Sequence, residues 1–240
     1  MSNPSAAMVI IGDEILSGRT RDANMHHLAT ELTLHGIDLK EVRVVVDDTA
    51  DIAAAVNALR ARFDHVFTTG GIGPTHDDIT ADSIAAAFEV PIDVRDDAKA
   101  VLAQNYPNGE ADLTPARLRM ARIPDGAHLI DNAISFAPGF SLENVHVMAG
   151  IPKVFQSMLA WLLPQLEGGQ PILSETVRAE VIESQIAGPL GDIAKAYPQL
   201  SLGSYPFNED GVHGANLVVR GHDKNMVSAA VQEIKKALDL

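Results

Sequence analysis

The densest run of chemically capable residues is Thr68–Thr80, TTGGIGPTHDDIT, where three glycines precede a histidine and two adjacent aspartates. Glycines let a ligand approach the main chain because no Cβ intrudes. A β-branched run enters this turn and a helical pattern leaves it. The turn therefore meets a helix N-terminus, whose unpaired N–H groups and dipole favour an anion such as phosphate. Asp77 and Asp78 at the same end would repel that phosphate unless a cation lay between them. Mg²⁺, which takes one or two carboxylates together with phosphate oxygens, resolves the conflict. The same residue types also make ordinary turns and helix caps, and the glycines follow neither P-loop nor Rossmann spacing. Taken alone, the segment reads equally as a phosphate cradle and as a capped helix start.

Two further acidic pairs stand at comparable places. Asp13 and Glu14 follow the apolar run Ala7–Ile11, and Asp47 and Asp48 follow Val42–Val46. Both runs suit buried parallel strands, as does His65–Thr69. Between them, Met25, Leu28, Ala29 and Leu32 repeat at helical spacing before Gly36, and Ile52, Val56 and Leu59 mark a helix over 52–63. Thr80–Glu89 supplies another. Strands alternating with helices predict an α/β fold, three layers deep, with a mostly parallel sheet. Ligands bind such sheets beyond the carboxyl ends of the strands, so the three acidic pairs are expected on one edge.

The middle of the chain alternates less regularly. Asp96–Gln104 and Thr114–Met120 read as helices, His128–Ile130 and Val145–Met148 as strands, Ala137–Phe140 as a turn, and Val154–Leu163 as a helix. The stretch Leu166–Pro171, LEGGQP, reads as a linker. It divides a domain at 1–168 from a small α+β domain at 169–240, whose expected order is β-α-β-β-α over Thr176–Ile182, Glu183–Tyr197, Ser201–Tyr205, Asn216–Arg220 and Lys224–Leu238.

A formal charge of −14 argues against a nucleic-acid partner, which needs a basic surface. No apolar run approaches the roughly 18 residues of a membrane span. No signal peptide is visible and there are no cysteines, so a cytoplasmic location is expected.

Three motifs, GDEILSGRTRDAN (Gly12–Asn24), VVVDDTADI (Val44–Ile52) and the glycine turn, occur in the order and spacing of the MoaB/Mog-type molybdopterin-binding family, which residues 6–165 resemble. Within it the chain is most similar to the N-terminal domain of competence/damage-inducible (CinA) proteins, and also to the molybdopterin-binding-like domain of eukaryotic FAD synthases. The tail resembles the CinA middle domain. In the Mog branch two aspartates handle the pterin phosphate and adenylate, and these match Asp47 and Asp78, which become the expected catalytic and metal-binding residues. Asp13, Asn24, Gly70, Gly71, Gly73 and Thr80 match recurrent family positions and are expected to bind the ligand or its phosphate. The family's proline-glycine-x-proline-x-glutamate is here Ala149–Gly150–Ile151–Pro152–Lys153–Val154, without the first proline and the acid. The resemblance also implies a homo-oligomer and a pocket wall at Ser135–Phe140.

Other residues carry two readings. His76 is a phosphate contact or acid, or an exposed loop histidine. Arg19 and Arg21 neutralise a second phosphate or are simply solvated. Asp48 caps the following helix or joins the site. Phe136 and Phe140 stack on a ring or pack in the core. The function expected from the CinA and FAD-synthase likeness is divalent-metal-dependent hydrolysis of a dinucleotide pyrophosphate such as ADP-ribose or FAD. Molybdopterin binding or adenylylation in molybdenum-cofactor synthesis uses the same residues, and a non-catalytic ligand-binding module is the third reading.

Overall fold

The structure is a computed structural model that describes residues 3–209 and 211–240. It divides into two compact units, one ending at Gly169 and the other running Gln170–Leu240.

In the first unit the elements run β1 (Ser5–Ile11), α1 (Asp13–Leu16), α2 (Asn24–His35), β2 (Asp38–Val45), α3 (Thr49–Arg60), β3 (His65–Thr69) and α4 (Thr80–Phe88). They continue through β4 (Ile92–Val94), α5 (Asp96–Ala103), α6 (Pro115–Leu118), β5 (Arg122–Pro124), β6 (His128–Ile130), β7 (Gly139–Leu142), β8 (Val145–Met148) and α7 (Pro152–Leu162). The central sheet has the order β2-β1-β3-β8-β7-β6. Its first four strands are parallel, while β7 runs antiparallel to both neighbours. This is the expected α/β fold with a mostly parallel sheet.

The layers follow from side-chain alternation. On β1, Ala7, Val9 and Ile11 face Ile52, Val56 and Leu59 of α3 and Ile84 of α4. Ala6, Met8 and Ile10 face Leu28 and Leu32 of α2 and Phe155 and Leu159 of α7. A strand covered on both faces must be apolar at every position, which is why β1 reads as an unbroken hydrophobic run. On α2 the buried stripe is narrower than the spacing suggests, since Met25 is exposed. The expected turn at Ala137–Phe140 is in part strand, because β7 pairs with both β6 and β8 there.

The second unit contains β9 (Leu173–Ala179), α8 (Glu183–Ala196), β10 (Ser201–Glu209), β11 (Val212–Gly221) and α9 (Lys224–Ala237). Its antiparallel sheet has the order β10-β11-β9. Val177, Ala215, Leu217 and Val219 pack against Ile186 and Ile193 of α8 and Val227, Val231 and Ile234 of α9. Among the described residues no helix is long and apolar enough to cross a membrane.

Two polar devices fix the sheet's ends. At the carboxyl end of β3, Thr80 is fully buried; its N–H donates to Gly71 O (2.9 Å) and its hydroxyl to Gly70 O (2.9 Å). At the opposite end, His146 lies buried between His65 Nδ1 (3.2 Å) and Ser141 Oγ (2.8 Å), its ring beside that of Phe67. Burial, with His65 as a lesser cause, pushes the His146 pKa down to about 3. Burial likewise lowers that of His65.

Both devices have measurable consequences. Thr80→Val leaves Gly70 O without its hydroxyl partner and should cost about 1–2 kcal/mol in urea unfolding, whereas Thr80→Ser should retain most of it. A histidine held neutral in the folded state takes up its proton only on unfolding. Stability from His146 is therefore complete above the unfolded pKa near 6.5 and is lost progressively as pH falls towards about 3. Between pH 7 and 5 the loss should be about 2 kcal/mol. His146→Leu should flatten that part of the stability–pH curve.

Candidate functional site

The glycine turn leaves β3 in a conformation that side chains do not tolerate. Gly70 has φ +105°, and a Cβ there would strike the carbonyl oxygen of Ile11 at the end of β1. Gly71 has φ +67°, and its Cβ would strike the Thr80 hydroxyl. A Cβ at Gly73 would lie 2.6 Å from an Asp78 carboxylate oxygen. On the far side, a Cβ added at Gly150, just after β8, would lie only 3.3 Å from the Gly70 Cα. The strand ends thus approach backbone to backbone, and the surface they leave is bare main chain.

That surface floors a cavity of about 530 Å³. Its walls are mostly apolar, with Ile72, Pro74, Met120, Ile151, Val154 and Met158 prominent. The polar groups along it are Glu14, Thr20, Asp78, Asn132 and Ser135. A few polar groups in a mainly apolar concavity of this size suit a small molecule with a ring system.

The site carboxylates fall into two sets. Asp13 and Asp47 are joined reciprocally, the Asp13 N–H donating to Asp47 Oδ2 (2.9 Å) and the Asp47 N–H to Asp13 Oδ1 (3.4 Å). Burial raises the Asp47 pKa, and the charges of Asp13, Glu14 and Asp77 push the same way; the bond from Asp13 acts in the opposite sense. Neither Asp13 nor Asp47 is among the residues lining the cavity, whereas Glu14 is. Asp78 lines it too, with Oδ2 accepting from the Thr75 N–H (2.8 Å) and hydroxyl (2.6 Å). Both bonds go to Oδ2 and tie the carboxylate back to the residue three positions before it. Among the described residues no three acidic or histidine side chains are grouped to hold a metal by themselves.

Thr80 and Asn24 support the site from beneath. Both polar groups of Thr80 are used on the glycine carbonyls. Asn24 donates its two amide hydrogens to Thr69 Oγ1 and Gly150 O, tying α2 to the ends of β3 and β8. Asp48 is a helix cap, accepting from the Ala50 and Asp51 N–H groups. His76 is almost fully exposed, 4.0 Å from Asp77. Arg21 lines a smaller adjoining cavity, and Phe140 is core.

Three contributors carry little sequence signal. Arg119 donates to Thr75 O (3.0 Å) and Asp78 O (2.9 Å), clamping the outer limb of the glycine turn from a segment some forty residues on. Met120 beside it forms wall. Asn132 is buried and self-sufficient, donating to Ser135 Oγ and Ala137 O while accepting from the Ile134 and Ser135 N–H groups. Only the local Asn-x-x-Ser pattern hints at that last turn. The segment Ala149–Val154, apart from Lys153, lines the cavity, so Val154 places an apolar wall where the family motif carries an acid.

Comparison with known proteins accords with this arrangement. Residues 7–168 match the family described as "Probable molybdopterin binding domain", and residues 171–240 match "FAD synthase, middle domain". A protein of Archaeoglobus fulgidus is 31% identical over 97% of both chains. A CinA-like protein of Gemmatimonas aurantiaca is 36% identical over 85% of this chain and 51% of its own. A probable FAD synthase of Caenorhabditis elegans is 28% identical over 98% of this chain and 50% of its own. The chain thus spans about half the length of these last two relatives. The crystal structure of CinA from Thermoplasma acidophilum, a protein of unknown function, superimposes with a TM-score of 0.64 at 33% identity, over 69% of this chain and 99% of that one. With its glycine turn, its paired aspartates and a match reaching from residue 7 to residue 168, the chain belongs to the molybdopterin-binding domain family.

Proposed function

We propose that this protein is a divalent-metal-dependent nucleotide pyrophosphatase acting on a dinucleotide such as ADP-ribose or FAD. The observation that carries this reading is the bare main chain of Gly70–Gly73 flooring an apolar-walled cavity of about 530 Å³, with Asp78 beside it. The main-chain N–H groups of Gly71, Ile72 and Gly73, which line the cavity, would hold a diphosphate with no Cβ in the way at the two glycines. The apolar walls take the rings.

The donor set fits a Mg²⁺ ion that arrives with the substrate. Such ions use one or two protein carboxylates and complete their shell with phosphate oxygens and water, so no preformed cage is needed. Asp78 lines the cavity and offers a carboxylate there. Asp47, pressed by three neighbouring carboxylates, gains from any added positive charge. When bound, the metal supplies Lewis-acid neutralisation of the phosphate charge. Asp78 would hold the metal beside the turn, while Asp13 holds Asp47 in place through its N–H. Water oxygen forms the new P–O bond and the bridging P–O bond breaks. ADP-ribose and water give AMP and ribose 5-phosphate, and FAD and water give AMP and FMN.

The family's description favours a second reading, molybdopterin binding or adenylylation at the same turn. Val154 in place of the motif's acid weighs towards the hydrolase.

The test is incubation of the purified protein with ADP-ribose and with FAD, with Mg²⁺ and with EDTA, followed by chromatography for AMP. AMP should appear only with metal. Asp78→Asn should reduce kcat/KM roughly a hundredfold or more, with Asp47→Asn also strongly impaired. Absence of AMP from both substrates would sink the hydrolase. Transfer of adenylate from ATP to a pterin phosphate would establish the second reading instead. Gly71→Ala should weaken nucleotide binding in either case, because its Cβ displaces Thr80 and with it the turn.

A further inference from the structure

Asn24 contains a buried polar atom with nothing to bond. The residue is 3% exposed at the first position of α2. One amide hydrogen goes to Thr69 Oγ1 (2.9 Å) and the other to Gly150 O (2.8 Å). The Thr69 hydroxyl spends its own hydrogen on Ala149 O (2.9 Å), so towards Asn24 it acts only as an acceptor. Gly150 O is an acceptor by nature. Two acceptors on one side fix the orientation of the amide, with Nδ2 towards them and Oδ1 away. Oδ1 then has no hydrogen-bond partner.

Asn24 borders a cavity of about 70 Å³, whose other walls include Glu14, Thr20, Arg21 and Gly70. Glu14, Thr20 and Gly70 also line the large cavity, so the two are compartments of one site. A buried carbonyl left without a donor is costly, and an ionised phosphate brings only acceptors. Asn24 therefore cannot serve the phosphate: its donors are spent and its remaining atom repels an anion. Glu14 adds a second acceptor to the same compartment.

We infer that this compartment is a subsite for an uncharged hydrogen-bond donor of the ligand, an O–H or N–H accepted by Asn24 Oδ1, and that it fixes which way round the ligand lies. The inference rests on the reading of the large cavity as a phosphorylated-nucleotide site. The phosphate lies on the glycine turn, and the donor-bearing group reaches across Gly70 to Asn24. Either a sugar hydroxyl or a ring N–H has this chemistry.

Calorimetric titration with AMP, a product that is not turned over, tests it. The comparison series is 2′-deoxy-AMP and 3′-deoxy-AMP, which delete sugar hydroxyls, and purine riboside 5′-monophosphate, which deletes the exocyclic amine, the base's N–H donor. In the wild-type protein one deletion should weaken binding about tenfold. The same deletion should cost nothing further in Asn24→Ala and Asn24→Ser, with their folding checked by thermal unfolding. Which deletion acts identifies sugar or ring. Deletions that cost the same in wild type and variants, or none that costs anything, would overturn the subsite while leaving the nucleotide pocket standing. The ligand-side deletions in the wild-type protein need no variant to fold. Failure of AMP to bind wild type at all would overturn the nucleotide pocket and the subsite together.

Discussion

The close approach of main chain at the ends of β1, β3 and β8 is the constraint on which the site depends. Gly70 sits against Ile11 O, Gly150 against Gly70, and Thr80 against Gly71. A methyl group at Gly70 would collide with the main chain of β1, one at Gly71 with the Thr80 hydroxyl, and one at Gly150 would crowd Gly70. The two carbonyls this exposes, at Gly70 and Gly71, are taken up by Thr80, so the turn is held by its own following helix. Because strand packing and pocket floor are made by the same residues, changes to the binding surface register as changes in fold stability. A loop grafted onto a finished scaffold would not behave in this way.

Charge is partitioned around that floor. Acidic groups cluster at the ends of β1 and β2, where Asp13 and Asp47 face each other's N–H groups, and Asp78 stands apart, oriented by Thr75. On the function proposed above, an anion against main-chain donors and a cation against carboxylates would stabilise one another. The wall opposite is apolar through Ile151 and Val154. Such a wall lowers the local dielectric and would strengthen each of those interactions.

Much of this was legible in the sequence because it depends on local rules. The unbroken apolar run of β1 and the helical spacing on α3 pointed to a sheet covered on both faces, and the glycines after β3 marked the edge where the cavity lies. Of the two readings that its place allowed, Asp48 takes the helix cap. What stayed hidden depends on tertiary pairing. Short strands such as β4, β5 and β7 are stabilised by their partners rather than by their own residues, and Gly139 in β7 looks like a turn until β6 and β8 flank it. Glu14 rather than Asp13 borders the cavity because of the direction in which α1 turns, which no spacing rule anticipates. The use of Asn24 to brace two strands emerges only from contacts that span 45 and 126 residues.

Arg119 gives the turn an external anchor. Its guanidinium grips carbonyls at both Thr75 and Asp78, yet its own segment belongs to the α6–β5 connection and shares no strand with the sheet. The posture of Asp78 is thus set from two sides: by Thr75 within the turn, and by a lever mounted on a different part of the chain. Sequence drift around residues 115–122 could retune how tightly the turn closes while every glycine and aspartate in it stayed unchanged. Members of this fold with identical turns need not share the same affinity, and the segment that distinguishes them lies outside the motif by which they are recognised.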